Sequence, residues 1–198
     1  MKSKYLVGID EAGRGPLAGP VSVGVVVVPA DFSWDKQLPG VDDSKKMKPE
    51  DREAIFVLAK ELRYRGELDF AVSMIGAPFI DEHGITKAIN LAMARAIHWL
   101  ELSPTDVSIR LDGSLSAAPR YKQATIIKGD ALYPEIGLAS ICAKVTRDAY
   151  MTRVARKYAH YGFEIHKGYG TKAHRDAIAR YGKSPIHRAT YCKNIKVL

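Results

Sequence analysis

Residues 7–20 read VGIDEAGRGPLAGP. A short apolar run ends on two adjacent acids, Asp10 and Glu11, and then meets Gly13, Arg14, Gly15 and Gly19. The chain just beyond these glycines decides the architecture. Residues 20–29, PVSVGVVVVP, are rich in β-branched side chains and bounded by prolines, which marks a second strand. Only Pro16 to Gly19 separate that strand from the glycine turn, too little chain for a helix. The spacing of Gly13, Gly15 and Ala18 nominally matches a dinucleotide fingerprint, but it lacks the helix N-terminus that would hold a pyrophosphate. Asp10 and Glu11 would also repel that group. The stretch reads instead as a strand ending on carboxylates, a cationic glycine turn, and a returning strand.

Outward from it, residues 4–9 and 68–75 read as further strand pattern, and Val107, Ile109 and Leu111 alternate up to Asp112-Gly113. Residues 121–128 form a fifth strand, ending at Gly129-Asp130. Helical periodicity covers 49–65 (Ile55, Leu58, Ala59, Leu62) and 85–102 (Ile85, Ile89, Met93, Ala96, Leu100). It returns over about 134–161, with Leu138, Ile141, Cys142, Val145 and Ala149 as the buried stripe, and over 171–182, with Thr171 as N-cap. Strands in a run, then strand and helix in alternation, predict a layered α/β domain on a mixed sheet. No repeat or linker divides the chain, so residues 1–198 are expected to form one domain.

Hydrophobic content of 46% in 198 residues suits a globular core, and no apolar run is long enough to cross a bilayer. A cytoplasmic protein that does not engage membranes is expected. Cys142 and Cys192 form no metal-binding pair, and the six histidines show no clustered ligand spacing. Thirty Lys and Arg against 22 Asp and Glu, a net charge of +8, favour a polyanionic partner such as nucleic acid.

Three strands of this basic chain nonetheless end on acids: Asp10-Glu11, Asp112 and Asp130. Neighbouring strands lie about 4.8 Å apart, so strand ends can converge carboxylates on one point. Hard divalent cations take such oxygen ligands and share their remaining positions with water or phosphate. Cations also allow clustered acids to face an anionic substrate.

The segment IDEAGRGPLAGPV at 9–21 resembles the N-terminal signature of the bacterial ribonuclease HII family. The resemblance continues in order through DDSKKMKPEDRE (42–53), LDG (111–113), KGD (128–130), ASICAKVTRD (139–148), HKGYGTKAH (166–174) and PIHR (185–188). It implies a ribonuclease H-like fold, a five-stranded mixed sheet flanked by helices with a helical C-terminal part. It also implies that Asp10, Glu11, Asp112 and Asp130 are the catalytic, metal-binding carboxylates, with Mn2+ or Mg2+ as cofactor. Asp10 would bridge two ions. The expected activity is hydrolysis of RNA in RNA–DNA hybrids and cleavage of duplex DNA at embedded ribonucleotides, by a monomer, leaving 3′-hydroxyl and 5′-phosphate ends.

By the same resemblance Gly13, Arg14 and Gly15 would read the ribose 2′-hydroxyl, and Tyr169 would pack on the following deoxyribose. Ser44, Lys45 and Lys46 fall in a loop expected to meet phosphate. Ser140, Lys144 and Asp148 lie four apart on one helix stripe. Ser140 and Lys144 are expected at the substrate, and Asp148 as the partner of Lys144 or as an outer carboxylate near the ions. Two other readings remain open: a non-catalytic nucleic-acid binding module, and a two-metal nuclease without ribose selection.

Overall fold

The computed structural model describes residues 3–41, 44 and 46–197. Strands β1 (Tyr5–Ala12), β2 (Val21–Pro29), β3 (Asp69–Ile75), β4 (Val107–Asp112) and β5 (Lys122–Ile126) form one sheet in the order β3-β2-β1-β4-β5. β1 runs antiparallel to β2, and β2 to β3; β4 lies parallel to both β1 and β5. Helices α1 (Trp34–Gln37), α2 (Pro49–Tyr64), α3 (Ala77–His83), α4 (Ile85–Trp99), α5 (Pro134–Ala155), α6 (Phe163–His166) and α7 (Lys172–Tyr181) complete the fold. No helix among the described residues is long and apolar enough to cross a membrane.

Alternation along the central strand assigns the two faces. Val7 and Ile9 of β1 pack with Ala88, Ile89, Met93 and Ala96 of α4. The opposite face is covered by α5 and α2, where Leu138, Ala139, Ile141 and Cys142 meet Ile55, Ala59 and Leu62. Gly8 and Gly24 bring α5 unusually close to this face. A Cβ on either would run into a main-chain carbonyl of α5, that of Glu135 over Gly8 and that of Ala139 over Gly24. The helix therefore rests on the sheet backbone itself.

Several boundaries differ from the pattern in the sequence. β1 continues to Ala12, because Ala12 still pairs with Ser22, so Asp10 and Glu11 sit inside the strand rather than beyond it. The long helix stops at Ala155 instead of reaching residue 161. Tyr161 and Phe163 turn inward there to join Leu17, Ala18, Met151 and Ile178 in a third apolar cluster. This changes the buried stripe of α5: Arg147 and Met151 are buried, whereas Ala149 is exposed. From Arg147 onward the helix packs against the glycine turn and the C-terminal segment. The expected N-cap is present, with Thr171 accepting from the His174 N–H at 3.3 Å. α1, α3 and α6 are too short to give a clear period in the sequence. Cys142 and Cys192 are free, buried thiols.

Candidate active site

Asp10 occupies the C-terminal half of β1, at the centre of the sheet. Ile9 is paired with Leu111, which sets Asp10 and Asp112 at neighbouring positions of parallel strands on the face beneath α5. Asp10 is 2% exposed. Its Oδ1 accepts the Glu11 N–H at 2.7 Å, and the Ser140 hydroxyl of α5 also donates to it. Ser140 has one proton to give, so the 2.8 Å contact between Ser44 and Ser140 hydroxyls has Ser44 as donor. The result is a relay from Ser44 through Ser140 to Asp10. Burial, together with the charges of Glu11 and Asp112, still holds the Asp10 carboxyl well above the usual carboxylate range.

Asp112 closes β4, and its Oδ1 accepts the Gly129 N–H at 2.7 Å. That bond ties the strand end to the short turn Gly129–Ala131, which carries Asp130. Asp130 is buried there, in the turn bonded to Asp112, and is not among the residues lining the cleft that the other three carboxylates share. Arg110, two residues before Asp112, pairs with buried Glu135 and anchors the start of α5 over β4.

The cleft has a volume of about 200 Å³. Asp10, Glu11 and Asp112 meet Gly13, Arg14 and Gly15 in its lining, with Ser44, Ser140, Lys144 and Tyr169 completing it. Arg14 reaches back to Glu11 at 3.3 Å. Lys144 pairs with Asp148 at 2.8 Å, as its helix spacing predicts. Tyr169 is 43% exposed, and the Lys144 Nζ lies 5.8 Å from its ring centroid. Ser44 and Ser140 are buried within that lining, their hydroxyls bonded to each other. The Ser44 and Met47 carbonyls both accept from Arg52 of α2 at 2.6 Å. Lys46 is exposed on this loop, while Lys45 lies outside the described residues.

A larger hollow of about 530 Å³ opens against α4, but Met93, Ile97, Leu102 and Tyr121 line it with the single carboxylate Glu101. Size does not locate the chemistry here. The donor set at the smaller cleft is all oxygen and all negative, which suits a hard divalent cation. Such an ion would offset the burial, and the lesser repulsion from Glu11 and Asp112, that raise Asp10. Among the described residues no three His, Cys, Asp or Glu side chains are placed closely enough to hold a metal ion together as they stand. The fit lies in charge and donor type, with Asp10, Glu11 and Asp112 as the residues that face the same space.

Hydropathy gave no warning of two buried arginines. Arg147 and Arg188 are both fully buried, and their guanidinium groups donate to main-chain carbonyls of the glycine turn and its continuation. Their partners are carbonyl dipoles, which no sequence pattern displays. A histidine group supports Tyr169. The Ser184 N–H donates to Nδ1 of His187 at 2.9 Å, leaving a proton on Nε2. That proton goes to Nε2 of His174, 3.0 Å away, and His174 Nδ1–H then donates to the Tyr169 carbonyl at 2.8 Å. Burial pushes both histidines down to about 4, so the order of protons is set at neutral pH.

A five-stranded mixed sheet with carboxylates on its two central parallel strands defines a ribonuclease H-like domain. The sequence profile described as ribonuclease HII matches residues 7–194. The chain belongs to the ribonuclease HII family. It is 44% identical to ribonuclease HII of Clostridioides difficile strain 630, over 96% of this chain and 71% of that one. It is 42% identical to the Prochlorococcus marinus ribonuclease HII, over 99% of this chain and all (100%) of that one. The crystal structure of ribonuclease H2 from Pyrococcus horikoshii OT3 superposes with a TM-score of 0.73 at 28% identity, covering 97% of each chain. Bst-RNase HIII in complex with Mn2+ shares the fold, with a TM-score of 0.65 at 17% identity over 91% of this chain and 63% of that one.

Proposed function

We propose that this chain is an endonuclease that hydrolyses the RNA strand of RNA–DNA hybrids and cuts duplex DNA at embedded ribonucleotides, leaving 3′-hydroxyl and 5′-phosphate ends. One observation carries the reading. Asp10, Glu11 and Asp112 share a cleft with the Gly13–Gly15 turn and Tyr169, so a charge-handling centre and a sugar-sized surface meet at one point. Family membership supports the activity, and the all-oxygen donor set supports Mg2+ or Mn2+ as the cofactor.

Asp10, Glu11 and Asp112 would hold the ions, with Asp130, carried by the turn that Asp112 holds, as the fourth carboxylate. Divalent ions bound there supply an activated water and stabilisation of the departing 3′-oxygen. The chain's own residues do the rest. Ser140, oriented by Ser44, fixes the Asp10 carboxylate. Lys144, Lys45 and Lys46 offer cations to phosphates, a contribution that weakens with salt. Main-chain groups of Gly13, Arg14 and Gly15 inspect the 2′-hydroxyl, the group that separates RNA from DNA, and Tyr169 stacks on the next sugar. Residues 1–198 act as one unit in this scheme, because the C-terminal helical part supplies Tyr169 and braces the turn.

The test compares one duplex with and without a single ribonucleotide, in Mg2+ and in Mn2+, for wild type and Asp112→Asn. Cleavage confined to the ribonucleotide strand, and lost in the variant, is expected. Equal cleavage of both duplexes would make this a nuclease without ribose selection. Binding without any cleavage would make it a binding module.

A further inference from the structure

The turn that faces the cleft is held from behind. Arg188, in the C-terminal segment, spreads its guanidinium over three carbonyls: Nη2 donates to Gly13 at 2.6 Å, Nη1 to Arg14 at 2.9 Å and Nε to Gly19 at 3.0 Å. Arg147 of α5 holds the continuation, donating to the Pro20 carbonyl at 2.8 Å and to that of Ala18 at 3.2 Å. Gly13 adopts φ 86°, and a Cβ there would collide with the Arg147 guanidinium. The main chain adds further ties. Leu17 N–H donates to the Gly168 carbonyl at 2.8 Å, Gly19 N–H to Ile186 at 2.8 Å, and Arg188 N–H to Leu17 at 2.8 Å. The turn is therefore clamped between the 166–170 loop that bears Tyr169 and the 184–188 segment.

This clamp has a directional consequence. In a trans peptide the C=O and the following N–H point in opposite directions, and none of the described peptide bonds is cis. Drawing the Gly13 and Arg14 carbonyls inward onto Arg188 turns the N–H groups of Arg14 and Gly15 outward. Neither N–H donates to another described backbone group. Gly15 has nothing within 4 Å of the position a Cβ would take, and it lines the cleft.

We infer that Arg188 is a positioning residue for ribose selection: its three-carbonyl fork aims the Arg14 and Gly15 N–H groups as a paired donor at the 2′-oxygen of the nucleotide in the cleft. The inference rests on the reading of the Gly13–Gly15 turn as the sugar-inspecting segment. The planar guanidinium is what the task requires, since a lysine ammonium cannot span three diverging acceptors in one fixed plane. Arg188 touches no substrate; it acts only through the turn.

The experiment uses the whole chain, with Ca2+ in place of the active metal so that binding is read without cleavage. Affinities are measured for a duplex carrying one ribonucleotide and for the same duplex fully deoxy, with wild type, Arg188→Lys and Arg188→Gln. Wild type is expected to prefer the ribonucleotide duplex. The variants should lose about tenfold of that preference, the scale of one hydrogen bond misplaced, while deoxy-duplex affinity stays within about twofold. In parallel, the wild-type amide resonances of Arg14 and Gly15 should shift more with the ribonucleotide duplex than with its deoxy counterpart. Selective shifts with an unchanged preference in the variants would overturn the role of Arg188 alone. Equal amide shifts would overturn the sugar-inspecting reading and this inference with it. A parallel fall in both affinities, or failure of both variants to fold, would reduce Arg188 to a structural brace.

Discussion

At the scale of single residues, the site holds charge where the fold disfavours it. Asp10 is buried beside Glu11 and Asp112, and its carboxyl is held well above the usual range, chiefly by burial. The folded chain thus binds a proton at Asp10 that the unfolded chain gives up. Metal-free stability is fully present below the unfolded value near 3.8 and falls as pH rises through the folded one. Asp10→Asn removes the buried carboxyl and its cost of ionisation or proton uptake, so in EDTA at neutral pH its Tm should exceed wild type by about 2–6 °C, a gap that closes below pH 4. The same substitution should cut cleavage by at least about 10²-fold, the scale of losing one electrostatic stabiliser. Calorimetry and a single-ribonucleotide cleavage assay read the two effects on the same sample. Lys144 offers a separable check. Lys144→Met should lower the slope of log affinity against log salt by about 1, measured by titration at several salt concentrations.

At the scale of elements, the placement of α5 decides whether the site exists. Glu135–Ala143 of this helix are buried without interruption, because Gly8 and Gly24 let its backbone touch the sheet. Ser140 reaches Asp10 only from that depth. Gly8→Ala should push the helix outward at a cost of about 1–3 kcal/mol, the usual range for overpacking a filled core. A lowered urea midpoint would record the loss. Cleavage should fall further than stability at urea-free conditions explains, since the Ser140 hydroxyl moves off the carboxylate. An unchanged midpoint would show that the helix tolerates the added methyl. The apolar stripe of α5 was legible in the sequence as far as Cys142, where the sheet lies beneath it. Val145 still packs, partly buried, against the same core; beyond it the partner changes, and Arg147 and Met151 are buried where Ala149 was expected to be.

Across the whole molecule, the C-terminal part serves the N-terminal turn. Arg188 reaches back 175 positions to hold Gly13 and 169 to hold Gly19. His174 and His187 complete that brace under Tyr169, and burial holds both near 4, against an ordinary value of 6.5. The unfolded chain therefore binds more protons between those values. This contribution to stability is complete above pH 6.5 and declines as pH falls toward 4. Asp10 acts in the opposite sense, so the comparison belongs in the Asp10→Asn background. There, stability should fall steadily from pH 6.5 to 4, and the fall should shrink when His174 and His187 are both replaced by Gln. Chemical denaturation across that pH range measures it, and a flat profile would contradict the buried neutral pair.

The five strands, the main helices and the family were all legible in the bare chain. They rest on local periodicity and on motifs contiguous in the sequence. Of the acids expected at strand ends, only Asp112 closes its strand; Asp10 and Glu11 lie within β1, and Asp130 sits in a turn beyond β5, which stops at Ile126 rather than 128. VGIDEAGRGPLAGP alone excluded a nucleotide-binding helix by returning directly into a strand. It took the folded chain to show that Asp10 and Asp112 adjoin while Asp130 is carried by a turn bonded to Asp112, and that Ser44 and Ser140 are buried in the cleft lining beside Asp10. The burial of two arginines against main-chain carbonyls likewise emerged only on folding. The physical reason is the same in each case. Strand register, close helix approach and carbonyl direction belong to a backbone folded on itself, and a string of side-chain types does not carry them.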